Sequence, residues 1–346
     1  MSGISEDVFQ AALGYFLSPI EPLMKDESVR EVMINGYDQI FIEQSGALQL
    51  TEFKFDDPEQ LLAAVRNIAQ YVGVHLREDV SRFDARLPQG HRVHVVLPPV
   101  SRVGVSVTIR KHSKSSFGLD DLIKLGAITE ESRDFMQFAM EREQNVVIAG
   151  GTGTGKTTFI NALSALIPNS DRIITIEDAA ELQLDQEHVV SLETRAPDRK
   201  GQGAVTIRDL LHSSLRMRPD RIIVGECRGG EALDLLQAMN TGHGGSMSTV
   251  HANSPIETLR RLETLALFSG EEIPLRFLRA QVASAINLVV QLQRLAGKRS
   301  VVSIAEVLPL TEDGEYQVRE IFGYDYHADS LQRLAKASFE DAAVSS

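Results

Sequence analysis

The sequence predicts two domains of different class: a small α+β unit with an antiparallel sheet, then an α/β unit built on a parallel sheet. Three observations carry this. The 346 residues correspond to about two domains at ~150 residues each. From Val32 to Val107 apolar and polar residues alternate around the turn signals Asn35-Gly36 and Ser45-Gly46, as half-buried antiparallel strands do. Beyond residue 120 the text changes to short, continuously apolar runs separated by longer helical stretches. Such runs mark strands buried on both faces.

In order along the chain, residues 1–30 carry helical spacing and an acidic break, a short N-terminal segment. Residues 31–112 form the first domain. Its one helix is expected from Pro58 to about Val72, with apolar side chains at 61, 62, 65, 68, 69 and 72. The stretch HRVHVVLPPVSRVGVSVTIRKH then reads as two strands joined by Pro98-Pro99. Residues 113–120 are polar and Ser-rich, a linker. Residues 121–328 make the second domain, with helices near 119–124 and 130–142. Its strands are NVVIAGG, RIITIED, RIIVGEC, GSMSTVHA and NLVVQLQ. Residues 329–346 thin to a charged, Ala- and Ser-rich stretch, expected as a flexible tail.

Composition excludes several classes. Thirty-five basic against 48 acidic residues leave a net charge of −13, so no direct nucleic-acid partner is expected, because phosphate neutralisation dominates such binding. The single cysteine, Cys227, excludes a disulfide framework and a Cys-based zinc site. No histidine pair shows zinc-ligand spacing with a third donor nearby. The longest apolar runs, such as residues 283–290, fall far short of the ~18 residues of a membrane span. The N-terminus MSGISEDVFQ is acidic, unlike a signal peptide. A cytoplasmic protein without a transmembrane segment is expected.

The sharpest motif is Gly150-Gly151-Thr152-Gly153-Thr154-Gly155-Lys156-Thr157, which matches G-x-x-x-x-G-K-[ST]. Glycines let the backbone curl so that several N–H groups face one anion, and the following helix adds its positive N-terminus. Lys156 reaches the β- and γ-phosphates, Thr157 ligates Mg²⁺, and Thr158 completes the cradle. ATP or ADP with Mg²⁺ is therefore the expected ligand. Such a site needs acids at the C-terminal ends of neighbouring strands. RIITI ends in Glu177-Asp178 and RIIV ends in Gly225-Glu226. The glycine replaces the Asp that ordinarily precedes the catalytic acid, which moves Mg²⁺ partly to waters held by Glu177. His243 and His251 flank the strand SMSTV and are expected to sense the γ-phosphate or act as a switch. Arg82, Arg86, Arg92 and Arg110 lie in the first domain; Arg216, Arg218, Arg221 and Arg228 bracket RIIVGEC.

Taken in order, AGGTGTGKTT, RIITIEDAAELQL, LETR, LRMRPDRIIVGECRGGEALDLLQAMNTGH and GSMSTVHANSP resemble the type II/IV secretion ATPase superfamily, most closely the CpaF-type ATPases of tight-adherence (Tad, or Flp) pilus systems. FDARLPQGHRVHVVLPP and VTIRK add to the resemblance, which runs from about Val29 to Tyr324. It implies a RecA-like P-loop C-terminal domain, a homo-hexameric ring, and ATP bound between the two domains. It also implies Glu226 and Glu177 as catalytic acids, His243 and His251 in a histidine box, and Arg92 and Arg110 as arginines that meet the phosphates. The implied partners are pilus or secretion platform proteins of the inner membrane, with the chain peripheral to that membrane through them. The alternatives are a type IV secretion (conjugation or effector) ATPase, a RecA-like nucleic-acid motor, and a nucleotide-dependent scaffold that does not hydrolyse ATP.

Overall fold

In the computed structural model, which describes residues 12–44, 46–77, 79–112, 117–197 and 201–341, the chain divides into two units, residues 1–115 and 116–346. In the first unit the alternating text forms strands β1 (Val29–Asn35), β2 (Ile40–Gln44), β3 (Ala47–Leu50), β4 (Arg82–Arg86), β5 (Arg92–Val96) and β6 (Ser106–Arg110). They pair antiparallel in the order β3-β2-β1-β6-β5-β4. Helix α1 (Glu21–Lys25) precedes β1. Helix α2 (Pro58–Tyr71) begins at Asp57, whose side chain accepts the Gln60 N–H, and has Pro58 in its first turn. Its apolar stripe of Leu61, Val65 and Ile68 shares one core with Val32, Ile34, Val95 and Ile109 of the sheet. One face of each strand is thereby committed to the core, which fixes the register.

In the second unit the apolar runs form β7 (Val146–Gly150), β8 (Ile173–Glu177), β9 (Val189–Glu193), β10 (Arg221–Val224), β11 (Met247–Val250) and β12 (Leu288–Leu295). They pair parallel in the order β12-β7-β11-β10-β8-β9. Strands β7, β8, β10 and β11 are buried along their whole length. Helices cover both faces, as continuous apolar strands require. Helices α3 (Leu119–Lys124), α4 (Glu130–Glu141) and α5 (Lys156–Ser164) pack on one face. Helices α6 (Ile207–Ser214), α7 (Glu231–Asn240), α8 (Pro255–Leu267) and α9 (Leu275–Ala285) pack on the other.

Two expectations need correction. The sheet does not stop at NLVVQLQ, because three antiparallel strands extend it: β13 (Lys298–Leu308), β14 (Gln317–Asp325) and β15 (Ser330–Arg333). The stretch from 329 is no tail as far as 341. It supplies β15 with buried Leu331, then buried Ala337. It ends in helix α10 (Ser338–Asp341), where Phe339 stacks on Phe138 of α4 at 6.0 Å. The outermost parts of the expected tail and N-terminal segment, and residues 113–116 of the expected linker, lie outside the described residues.

Candidate active site

The loop between β7 and α5 is built on glycine for reasons visible atom by atom. A side chain at Gly150 would place its Cβ 2.5 Å from Thr154 Oγ1 and 2.8 Å from the Leu292 carbonyl of β12. Gly153 and Gly155 have φ of +71° and +95°, backbone that side chains avoid. Gly155 is the residue from which α5 starts. Lys156 is buried, and its Nζ donates to the carbonyls of Gly150 and Gly151, both at 3.0 Å. The loop thus curls around its own lysine. Thr157 and Thr158 sit half-buried in the first turn of α5.

From Lys156 a continuous polar chain runs along the C-terminal ends of the strands. Lys156 Nζ donates to His251 Nδ1 at 3.4 Å. His251 Nε2 lies 3.1 Å from Glu226 Oε1, which is the tautomer in which Nε2 carries the proton. Arg228 Nη2 donates to Glu226 Oε2 at 2.7 Å, and Arg228 Nη1 faces Asp178 Oδ2 at 3.4 Å. Parallel pairing sets this up. Strands β8, β10 and β11 are adjacent and end together, so Glu177, Glu226 and His251 all emerge at the edge where β7 ends in Gly150. Open α/β sheets bind ligands at that edge.

The electrostatics follow from the same neighbours. Burial would raise the Glu226 carboxyl, but the Arg228 hydrogen bond and the charges of Arg228, His251 and Lys156 outweigh it, so Glu226 ionises more readily than an ordinary glutamate. What burial His251 has, with the Lys156 charge, lowers its pKa and favours the neutral ring. Glu177 is 4% exposed. Burial raises its pKa to about 7, against the pull of the Glu181 and Leu182 N–H groups that its Oε1 accepts at 2.9 and 3.0 Å.

The glycine at 225 has a structural cause. A Cβ there would lie 2.9 Å from Glu177 Cγ, so the Glu177 side chain fills the space an Asp at 225 would need. One acid from β8 stands where a generic P-loop protein has one on β10. Among the described residues no three His, Cys, Asp or Glu side chains converge as a metal cage. The side chains here with an oxygen to offer Mg²⁺ are Thr157, in the first turn of α5, and Glu177 at the end of β8.

The remaining expected residues are placed differently. His243 is not brought to the loop. It precedes β11, so it lies at the N-terminal end of the strand whose other end carries His251. There its Nδ1 faces the Ala238 carbonyl at 3.2 Å and its own carbonyl accepts from Ser246 Oγ. The glycines around it serve packing: Gly245 has φ +71°, and a Cβ on it would lie 1.4 Å from Nη1 of the buried Arg221. Arg92 and Arg110 face each other across β5 and β6 on the first unit's sheet, with Arg86 next in the row and Glu31 on the far side of Arg110. Two residues were missed by sequence reasoning. Arg228 was seen only as one of several arginines near a strand, although its place two residues after Glu226 was the available signal. Arg299 lies on the β12–β13 hairpin, its Cδ 3.5 Å from a Cβ position at Gly155. No local motif marks it.

Comparison with known proteins agrees with this geometry. The profile of the family described as "Type II/IV secretion system protein" matches residues 16–320. The chain is 33% identical over 324 residues to the type IV secretion system protein VirB11 of Bartonella henselae, covering 83% of this chain and 91% of that one. It is 34% identical over 330 residues to the type IV secretion system protein PtlH of Bordetella pertussis, covering 85% and 95%. Among solved structures, the pilus retraction motor PilT with bound ADP matches with a TM-score of 0.60 at 19% identity, covering 87% of this chain and 84% of that one. The Legionella pneumophila ATPase DotB matches with a TM-score of 0.58 at 21% identity, covering 92% and 82%. These two likenesses concern the fold.

Proposed function

The chain belongs to the type II/IV secretion system protein family, and from that premise we propose that it hydrolyses ATP to drive assembly, with or without retraction, of a Tad-type pilus through inner-membrane platform proteins. The observation that carries the reading is the unbroken chain Lys156–His251–Glu226–Arg228–Asp178 at the phosphate-binding edge. A cradle alone would serve a scaffold; an ionised glutamate held two side chains from the cradle lysine serves hydrolysis.

In this mechanism Lys156 exchanges the Gly150 and Gly151 carbonyls for phosphate oxygens, while the loop's N–H groups and the start of α5 hold the same anion. Glu226 orients the attacking water and takes its proton, and the Arg228 contact keeps the carboxylate ionised for that step. Neutral His251 bridges Lys156 and Glu226, so loss of the terminal phosphate is felt at both. Mg²⁺, when bound, would supply positive charge to offset the negative charge developing on the phosphates. Thr157 and waters near Glu177 would hold it. Arg92 and Arg110 are proposed to meet phosphate charge within a ring of six subunits. No helix among the described residues is long and apolar enough to cross a membrane, so the work is proposed to pass to membrane proteins by contact.

Steady-state turnover of the wild type and of Glu226→Gln, with and without Mg²⁺, tests this. A fall of at least ~100-fold in the variant, with ATP still bound, is expected from the loss of a general base. Equal rates would remove hydrolysis from the reading. A second reading, an ATPase of type IV secretion, is favoured by the names of the VirB11 and PtlH relatives. Deleting the gene separates the two: loss of surface pili supports the first, and loss of effector or DNA transfer with pili intact supports the second.

A further inference from the structure

Beyond the nucleotide site, the sheet extension carries a polar cleft. Gln291, Ser303, Gly323 and Gln332 are register partners across β12, β13, β14 and β15. Three of the four carry polar side chains. Gly323 carries none, which helps leave a cavity of ≈ 530 Å³ between this row and the first residues of α8.

The cleft has a floor built for hydrogen bonds it does not complete. Gln291 is 2% exposed and Ser303 is 5% exposed, and both line the cavity. Gln291 Nε2 donates to the Ala252 carbonyl at 3.1 Å and the Leu292 carbonyl at 3.2 Å. Its Oε1, and Ser303 Oγ beside it, have no partner among the described residues. Buried polar atoms are normally satisfied, and the partner type missing at Gln291 Oε1 is a donor.

The walls narrow the class of that donor. Glu320 and Asp325 line the cleft, and among the described residues no Lys, Arg or His does. Asp325 Oδ1 accepts the His327 and Ala328 N–H groups, which leaves Oδ2 available. Tyr324 and Tyr326, with ring centroids 5.2 Å apart, form one side. The α8 terminus does not convert the cleft into an anion seat: Ser254 Oγ already accepts the Glu257 N–H, and Pro255 has no N–H to offer. A planar cation with several fixed donors meets all of these features, because a guanidinium pairs with carboxylates, donates to amide and hydroxyl oxygens, and lies on aromatic rings.

We propose that this cleft is a docking pocket for an arginine side chain presented by a partner peptide. Gln291 links it to the nucleotide site, since the Ala252 carbonyl it holds belongs to the residue after His251. Such docking requires no hydrolysis and can be measured without nucleotide.

The test is a ligand-detected NMR titration of acetyl-Gly-Arg-Gly-amide against the full chain, with acetyl-Gly-Gln-Gly-amide as the neutral counterpart. Saturable binding of the arginine peptide alone is expected. Glu320→Gln and Gln291→Leu should each weaken it at least fivefold, while Glu312→Gln, outside the cleft, leaves it unchanged. Glu320 is exposed, so its variant keeps the test open if Gln291→Leu fails to fold. No binding at millimolar peptide, equal binding of both peptides, equal weakening by Glu320→Gln and Glu312→Gln, or displacement by adenosine would each overturn the proposal. The last would mark a nucleobase site.

Discussion

At Glu226 the decisive quantity is the balance between burial and cations. Arg228 supplies the largest opposing contribution, so Arg228→Ala should let the Glu226 carboxyl move back up. The group must be ionised to take a proton, so the acid limb of the pH–rate profile should move to higher pH; Arg228→Lys should move it less. A profile that keeps its acid limb in Arg228→Ala would mean that another group sets it. Glu177 and Gly225 form the other residue-scale pair. Gly225→Ala forces a Cβ to within 2.9 Å of Glu177 Cγ and should cost about 1–3 kcal/mol, as overpacking does. Combining it with Glu177→Ala removes the obstructing atoms, so the double variant should lose less stability than the two single losses added. Strict additivity in denaturant unfolding would show that the two side chains do not share the space.

At the scale of elements, the two ends of one strand do different work. The four residues of β11 span roughly 13 Å, with His251 at one end and the turn before Ser246 at the other. Asn145 organises that other end. Its side chain donates to the Met239 and Ala285 carbonyls at 3.3 and 2.8 Å and accepts the Ser246 N–H at 3.1 Å. One amide thereby ties the ends of α7 and α9 to the approach to β11, just before β7 begins. Asn145→Ala leaves buried groups unpaired and should destabilise the second unit by about 3 kcal/mol. Nucleotide affinity measured below the unfolding range should stay within about twofold, since the opposite edge of the sheet is untouched. A large loss of affinity at full folding would contradict this division of labour. The β12–β13 hairpin gives the complementary case. Arg299 reaches Gly155 from β13, across β12 from β7, so Arg299→Ala should raise KM for ATP roughly tenfold, the order of one charge-assisted hydrogen bond, with kcat little changed.

For the whole molecule, legibility in the sequence followed how local each cause was. The loop at 150–157 was legible because backbone geometry dictates its spelling. The parallel strands were legible because burial on both faces removes polar residues from them. Strands β13–β15 were not: in β13 the buried polar residues Ser300, Ser303 and Glu306 interrupt the apolar run, and β14 and β15 are mostly exposed or half-buried without clean alternation. The reason for Gly225 was invisible because it lies across the β8–β10 register, where Ile176 pairs with Val224. His243 misled because the strand recognised between it and His251 puts the two histidines at opposite edges of the sheet, and only the edge at His251 carries the loop. The same non-local packing makes stability depend on pH. Glu177, at pKa 4.5 when unfolded, rises to about 7 when folded. The folded state therefore holds its proton more tightly. That contribution is fully present below pH 4.5 and is lost as pH rises through 7. Glu177→Gln keeps an acceptor for the Glu181 and Leu182 N–H groups and has no proton to lose. It should equal the wild type in stability near pH 4.5 and exceed it by up to about 3 kcal/mol at pH 8. Denaturant unfolding at both pH values measures the gap. If the gap is the same at both, Glu177 is already ionised in the folded protein and burial does not govern it.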